Sequence, residues 1–203
     1  MTDESWMLAR LERDTAAHHA AAEADLFQIL DEPTFARYRR FLAVVYQFEY
    51  AVEARIVCVE ALPIRFVMSL LKSGVLYNDL LALGIDASAF GRKLEPPRFR
   101  DALDALGWLY VVQRNTLHHG ALYRALAPHL RSPLQTAAHY LTFHTGDVHR
   151  RWRELGALLG RAASTPERAA QLVAAADAAF ERQHRWYREA RTQLAPPLAE
   201  IRA

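Results

Sequence analysis

Apolar residues recur every three to four positions along almost the whole chain, the period of an α-helix, and strand-like alternation is nearly absent. The pattern predicts a first helix from about Ser5 to Leu26, its apolar seam carried by Leu8, Leu11, Thr15, His19, Ala22 and Leu26. Pro33 and Thr34 open a second helix expected to reach about Ala61, and Pro63 breaks the chain before a third. Gly74 and Gly84 punctuate two short segments, and Gly91 to Pro97 reads as a loop. One long helix is expected from Arg100 to about Ala127, stopped by Pro128. Two more follow at Ser132–Thr145 and Asp147–Arg161, with Gly146 as the break between them. Thr165-Pro166-Glu167 combines a cap, a proline at the first helical position and an acid at the positive helix end. It starts a last helix running to about Leu194, before Pro196-Pro197. The fold class is all-α, a bundle of about seven to nine helices.

Composition narrows the class without naming a function. The 203 residues, 52% hydrophobic and 24% charged, suffice for one well-buried core, so residues 1–203 are expected to form a single domain. The single cysteine, Cys58, excludes an internal disulfide framework, and its apolar neighbours suggest a buried thiol in a reducing compartment. No secretory signal is expected in Met1–Arg13, which carries three acids, and no apolar run approaches a membrane span. A cytoplasmic protein is the simplest expectation. The 25 basic and 23 acidic residues are interspersed, so no nucleic-acid footprint is read. The densest basic stretch, His149 to Arg153, is either a solvated helix face or an anion contact.

Nine histidines stand out. His19 lies on the apolar seam of the first helix, where its ring nitrogens need a partner or a metal. Thr15 and Glu23 lie one turn to either side and reach its neighbourhood. On these residues alone, a satisfied core histidine and a ligand both remain open.

The order Thr15-Ala-Ala-His18-His19-Ala-Ala-Ala-Glu23 resembles the first helix of the heme oxygenases, in particular the bacterial branch. Further resemblance lies in Tyr38, Phe41-Leu42, Tyr46, Phe48 and Glu53, and in Lys72-Ser73, Leu76, Asp79-Leu80 and Gly84. Gly107-Trp108-Leu109-Tyr110-Val111-Val112 is similar to the start of the family's distal helix. Phe143, Gly146 and Trp152, then Ala174–Phe180 with Trp186, continue the match to the end of the chain.

The resemblance implies a heme-oxygenase-like bundle with heme held between the first and distal helices. His19 would be the axial iron ligand, with Glu23 and Tyr110 beside the cofactor. It also implies cleavage of heme to biliverdin, iron and carbon monoxide, with heme as both substrate and cofactor and a reductase or ferredoxin-type electron donor. A membrane is not implied, and a homodimer is left open.

The distal helix departs from the family. Where two glycines four residues apart are expected, the chain has Arg114 and His118. Glycine there lets the helix backbone approach and kink over the heme face. Three outcomes stay open: His118 as a sixth iron ligand in a bis-histidine site, an altered but open site, or a pocket without heme. Asn115 is a candidate for ordering distal water. His119, about 100° round the helix, is expected at the surface or behind the site. Glu12 stands where the family places a base that meets a heme propionate, a charge reversal unless Arg13 or Arg10 substitutes. On the later helix Arg150 and Arg153 fall near where propionate partners are expected, with guanidinium forks suited to a carboxylate.

Two further chemistries are weak. One Glu-x-x-His motif, Glu181 to His184, is present where a di-iron site needs two. Cys58 sits among apolar residues, unlike a nucleophile. The class that competes with an enzyme is a catalytically silent heme sensor, a carrier or an interaction module on the same fold.

Overall fold

A computed structural model describes residues 6–86 and 94–193, with side chains described to Ala190. Among these residues the secondary structure is helical, in eleven α-helical segments and one 3-10 turn. The expected first helix is two: α1 (Trp6–Asp14) and α2 (Ala16–Phe27), broken at Thr15. The Thr15 hydroxyl donates to the Leu11 carbonyl at 2.7 Å, a back-bond that competes with the helical ladder and bends it. A 3-10 turn, Gln28–Leu30, follows, then α3 (Phe35–Ile56), whose first turn is capped by Thr34 Oγ1 accepting from Arg37 N–H.

α3 stops five residues before the expected Ala61, and Cys58 lies exposed beyond its end, not buried. The apolar flanks of Cys58 were misleading because the helix that would have buried them has already ended. Next come α4 (Ile64–Leu70) and α5 (Ser73–Ala82). Gly84 adopts φ +68°, while Ile85 N–H donates to Leu80 O and Gly84 N–H to Leu81 O. That is a left-handed C-terminal stop that a Cβ would strain.

The expected helix from Arg100 to Ala127 also divides, into α6 (Ala102–Thr116) and α7 (His119–Leu126). Asp101 caps α6 by accepting from Leu103 and Asp104 N–H. At the break, Leu117 and His118 donate three residues back, to Arg114 and Asn115, so the chain kinks without glycine. The expected Ser132–Thr145 helix becomes α8 (Arg131–Thr136) and α9 (His139–Thr142). α10 (Val148–Ala162) and α11 (Pro166–Gln193) follow as expected. With the divided pairs α1/α2, α6/α7 and α8/α9 each counted once, the eleven described segments correspond to eight helices, within the expected seven to nine.

One continuous apolar core links these helices, with Leu11, Leu42, Phe48, Leu109, Leu159 and Phe180 all essentially inaccessible. The densest packing in it is between α6 and α11. A Cβ on Gly107 would lie 2.6 Å from Ala175 Cβ, 2.8 Å from Ala176 N and 2.9 Å from Leu172 O. Glycine at 107 is therefore what lets α6 rest on the α11 backbone. No described helix is long and apolar enough to cross a membrane. The loop expected at Gly91–Pro97 is irregular from Leu94 onward, and its first part, like the end of α11 expected near Leu194, falls outside the described residues.

Candidate functional site

α2 presents His19 and Glu23 toward α6, which answers with Tyr110 and Arg114. His19 is 7% exposed. Its Nε2 lies 2.8 Å from Thr15 Oγ1 and 3.3 Å from the Tyr110 hydroxyl. The single hydroxyl hydrogen of Thr15 is already spent on Leu11 O, so Nε2–H donates to Thr15 Oγ1. The Phe180 ring of α11 packs against His19 at 5.2 Å between centroids and meets Tyr110 edge-on at 6.2 Å. Burial, and behind it the Arg114 charge, lowers the His19 pKa to about 4, so the ring is neutral at pH 7.

One turn further along α2, Glu23 Oε1 accepts from Arg114 Nη2 at 2.8 Å, a hydrogen-bonded ion pair across the two helices. The Arg114 side chain is 11% exposed, whereas that of Glu23 is 38% exposed. This pairing is the main reason the Glu23 carboxyl is held below its usual range. His118 Nε2 lies 3.4 Å from Arg114 Nη1 and 3.5 Å from Glu23 Oε1. Its ring meets Phe27 edge-on at 5.4 Å, and burial lowers its pKa. The four expected residues His19, Glu23, Arg114 and His118 are thus brought together, with Tyr110, in one continuous α2–α6 seam.

The remaining expected residues lie elsewhere. Asn115 is buried and points to α11, donating to Gln183 Oε1 at 3.1 Å. Arg150 is half-exposed on α10, tied to Asp147 and Glu154 at 2.6 Å each, and Arg153 is exposed. Of the two places expected for His119, the surface or behind the site, the structure excludes the surface: it is 2% exposed, and its ring meets that of Tyr140 of α9 at a tilt, 4.3 Å between centroids. The 100° turn from His118 carries it into the core, not out to solvent. His184 pairs with Asp25 of α2 at 2.5 Å, so the lone Glu-x-x-His motif contributes to an interhelical contact. No group of three metal-binding side chains occurs among the described residues.

Sequence reasoning missed the buried polar cluster behind α6. There Glu53 accepts from the backbone N–H of Lys72 and Ser73, and Lys72 Nζ reaches Val112 O. Tyr140 donates to Glu49 at 2.6 Å. Glu49 is pushed up to about 7 by burial. In the sequence Glu53 and Lys72 stand out only through the family resemblance and Glu49 not at all; the tertiary contacts reveal them as internal struts.

Heme placed between α2 and α6 would have to face the nitrogen of His19 that points at α6, which is Nε2. That nitrogen is already engaged by Thr15 and Tyr110, and the next turn is bridged by Glu23 and Arg114. Side chains in hydrogen-bond contact leave no slot for a planar macrocycle between the two helices. The residues present therefore do not fit heme in this arrangement.

The heme oxygenase family model matches residues 5–189, and the chain belongs to that family. Its fold is similar to that of the heme oxygenase from Neisseria meningitidis, whose NO- and CO-bound crystal structures are known. The TM-score is 0.74 at 24% identity, over 93% of this chain and 94% of that one. No curated protein matches the sequence. The family binds heme, and its nominal reaction is oxidative cleavage of heme to biliverdin, iron and carbon monoxide.

Proposed function

We propose that this protein is a heme oxygenase family member whose heme slot is closed by its own side chains, and that in this state it does not cleave heme. The observation that carries the reading is the direct contact of α2 with α6, through His19–Tyr110 and Glu23–Arg114. Electrostatics alone would not keep a tight ligand out. With Glu23 38% exposed, the pair is worth at most about 1 kcal/mol, which weakens binding by no more than roughly fivefold. Volume is the stronger term, because Arg114 and His118 occupy positions where the family pattern leaves only backbone.

What a heme site would need is otherwise kept. His19 is neutral and buried on the correct helix, and the α6/α7 kink persists at Leu117–His118. An electron donor has work to do only in an opened form. His118 is turned to Glu23 and Arg114 and serves the closure, not iron ligation.

The test is an absorption titration of the purified protein with ferric heme, followed by ascorbate in air. The closed reading predicts no saturable Soret change that depends on His19, and no biliverdin band. Saturable binding lost in His19→Ala, with conversion to biliverdin, would show an open and active site.

A further inference from the structure

α5 packs between α3 and α9, and the surface along these three helices carries almost no charge. Residues 41–54, 72–82 and 138–146 include Glu49, Glu53, Lys72 and Asp79, and all four are buried. The exposed imidazole there, that of His139, is held by the Asp79 carboxylate at 2.8 Å. In a chain that is 24% charged, a surface of this extent without an exposed carboxylate, lysine or arginine marks a contact region.

Aromatic and aliphatic groups stand there instead. Tyr46 of α3 stacks on Tyr50 at 5.5 Å and meets Tyr77 of α5 at 5.9 Å between ring centroids. Leu81 follows Tyr77 one turn along α5. Tyr50, Tyr77 and Leu81 are 54%, 37% and 49% exposed, so this cluster forms an apolar ridge. About 100° round α5 from Tyr77, and further, lies a hollow of about 320 Å³. Val75, Asn78, His139, Thr142 and Phe143 line it, and Phe143 is 43% exposed.

We propose that this face binds a second copy of the chain about a two-fold axis. A two-fold contact uses one patch twice, so each feature of the patch must find its complement elsewhere on the same patch. Ridge and hollow share α5, and a two-fold axis beside that helix would set each ridge in the other copy's hollow. The lack of charge favours the same occupant. It offers nothing to select an oppositely charged partner and nothing to repel an identical face. The ridge and Phe143 together expose on the order of 350 Å² of mostly apolar surface. A standard interface buries about 800 Å² per partner, somewhat more than half of it apolar, so the patch supplies most of that share. Gln47, Asn78 and Thr142 border it with polar groups suited to a rim. The inference is independent of whether heme enters the α2–α6 seam, none of whose residues belongs to this face.

Sedimentation velocity of the full chain tests it. The protein should run as a dimer at about 10 μM and above, since interfaces of this size dissociate at about micromolar concentration or lower. Tyr77→Lys on the ridge and Phe143→Glu at the hollow each place an unpaired charge in the contact twice. Each should raise the dissociation constant about 100-fold or more. Mixing Tyr77→Lys with Phe143→Glu should restore a heterodimer, because one ridge and hollow then join opposite charges and the other pair keeps its native side chains. Met68→Lys, at an exposed apolar position of α4 outside the face, should leave the dimer intact. All three positions are exposed, so helicity should be unchanged in each variant. A monomer at every concentration up to about 100 μM, or a dimer indifferent to Tyr77→Lys and Phe143→Glu, would overturn the proposal. So would a mixture that stays monomeric, or a dimer lost equally in Met68→Lys.

Discussion

The α6 helix meets its neighbours in two opposite ways, two turns apart. At Gly107 it carries no side chain, and its backbone lies against α11 so closely that a single Cβ would sit 2.6 Å from Ala175 Cβ. Seven residues further on, Arg114 carries a long polar side chain, and together with His118, in the break between α6 and α7, it fills the space toward α2. A missing Cβ brings α6 against α11 at one point, and side-chain bulk fills the gap toward α2 at the other.

The sharpest way to break this comparison is at Gly107. Gly107→Ala should destabilise the protein by about 2–3 kcal/mol despite alanine's better helix propensity, because the obstacles include the backbone of Leu172 and Ala176. Thermal unfolding would show a fall of roughly 5–10 °C for a domain of this size. An unchanged melting temperature would mean that α6 and α11 have room to part.

A smaller effect comes from the histidines the core has swallowed. His19 and His144 both titrate at about 4 in the folded protein, against an ordinary value of 6.5, chiefly through burial. A depressed histidine supports the fold above its free value and loses that support as pH falls toward the folded one. Glu49 works in the other direction, since its value is raised from 4.5 to about 7 and acidification relieves it. With His118 and His119 lowered as well, the histidines outnumber it. Stability should decline between about pH 6.5 and pH 4.5, and His144→Gln should flatten the slope in thermal melts across that window. A stability that rises on acidification would contradict this sign.

The smallest effect is expected at Arg150. Arg150 is 52% exposed and its partners Asp147 and Glu154 are partly in solvent, so Arg150→Ala should change stability by less than about 0.5 kcal/mol. A larger loss by chemical denaturation would give this surface pair a role the geometry does not show.

Much of the bundle was legible in the sequence because helical periodicity and local stop signals are local physics. Thr165-Pro166 begins α11 and Gly84 ends α5 as their chemistry requires. The breaks at Thr15 and at Leu117–His118 were not legible. One depends on a side chain bonding its own backbone, the other on three-residue hydrogen bonds where no glycine or proline marks a kink. Of the site, the meeting of His19, Glu23, Tyr110, Arg114 and His118 followed from the motif order. Their mutual hydrogen bonds did not, because the motif gives positions along two helices and says nothing of the distance between them. His119 shows the same limit, since a 100° turn away from the site led inward to Tyr140.

In the proposed reading, side-chain volume at Arg114 and His118, not loss of the fold or of His19, excludes heme. That reading is tested most directly by titrating ferric heme into wild-type protein and the Arg114→Gly/His118→Gly variant side by side, each with and without His19→Ala. The account predicts a saturable Soret change only in the glycine variant, abolished when His19 is also replaced. Wild-type protein that binds heme as tightly as the glycine variant, through His19, would contradict it.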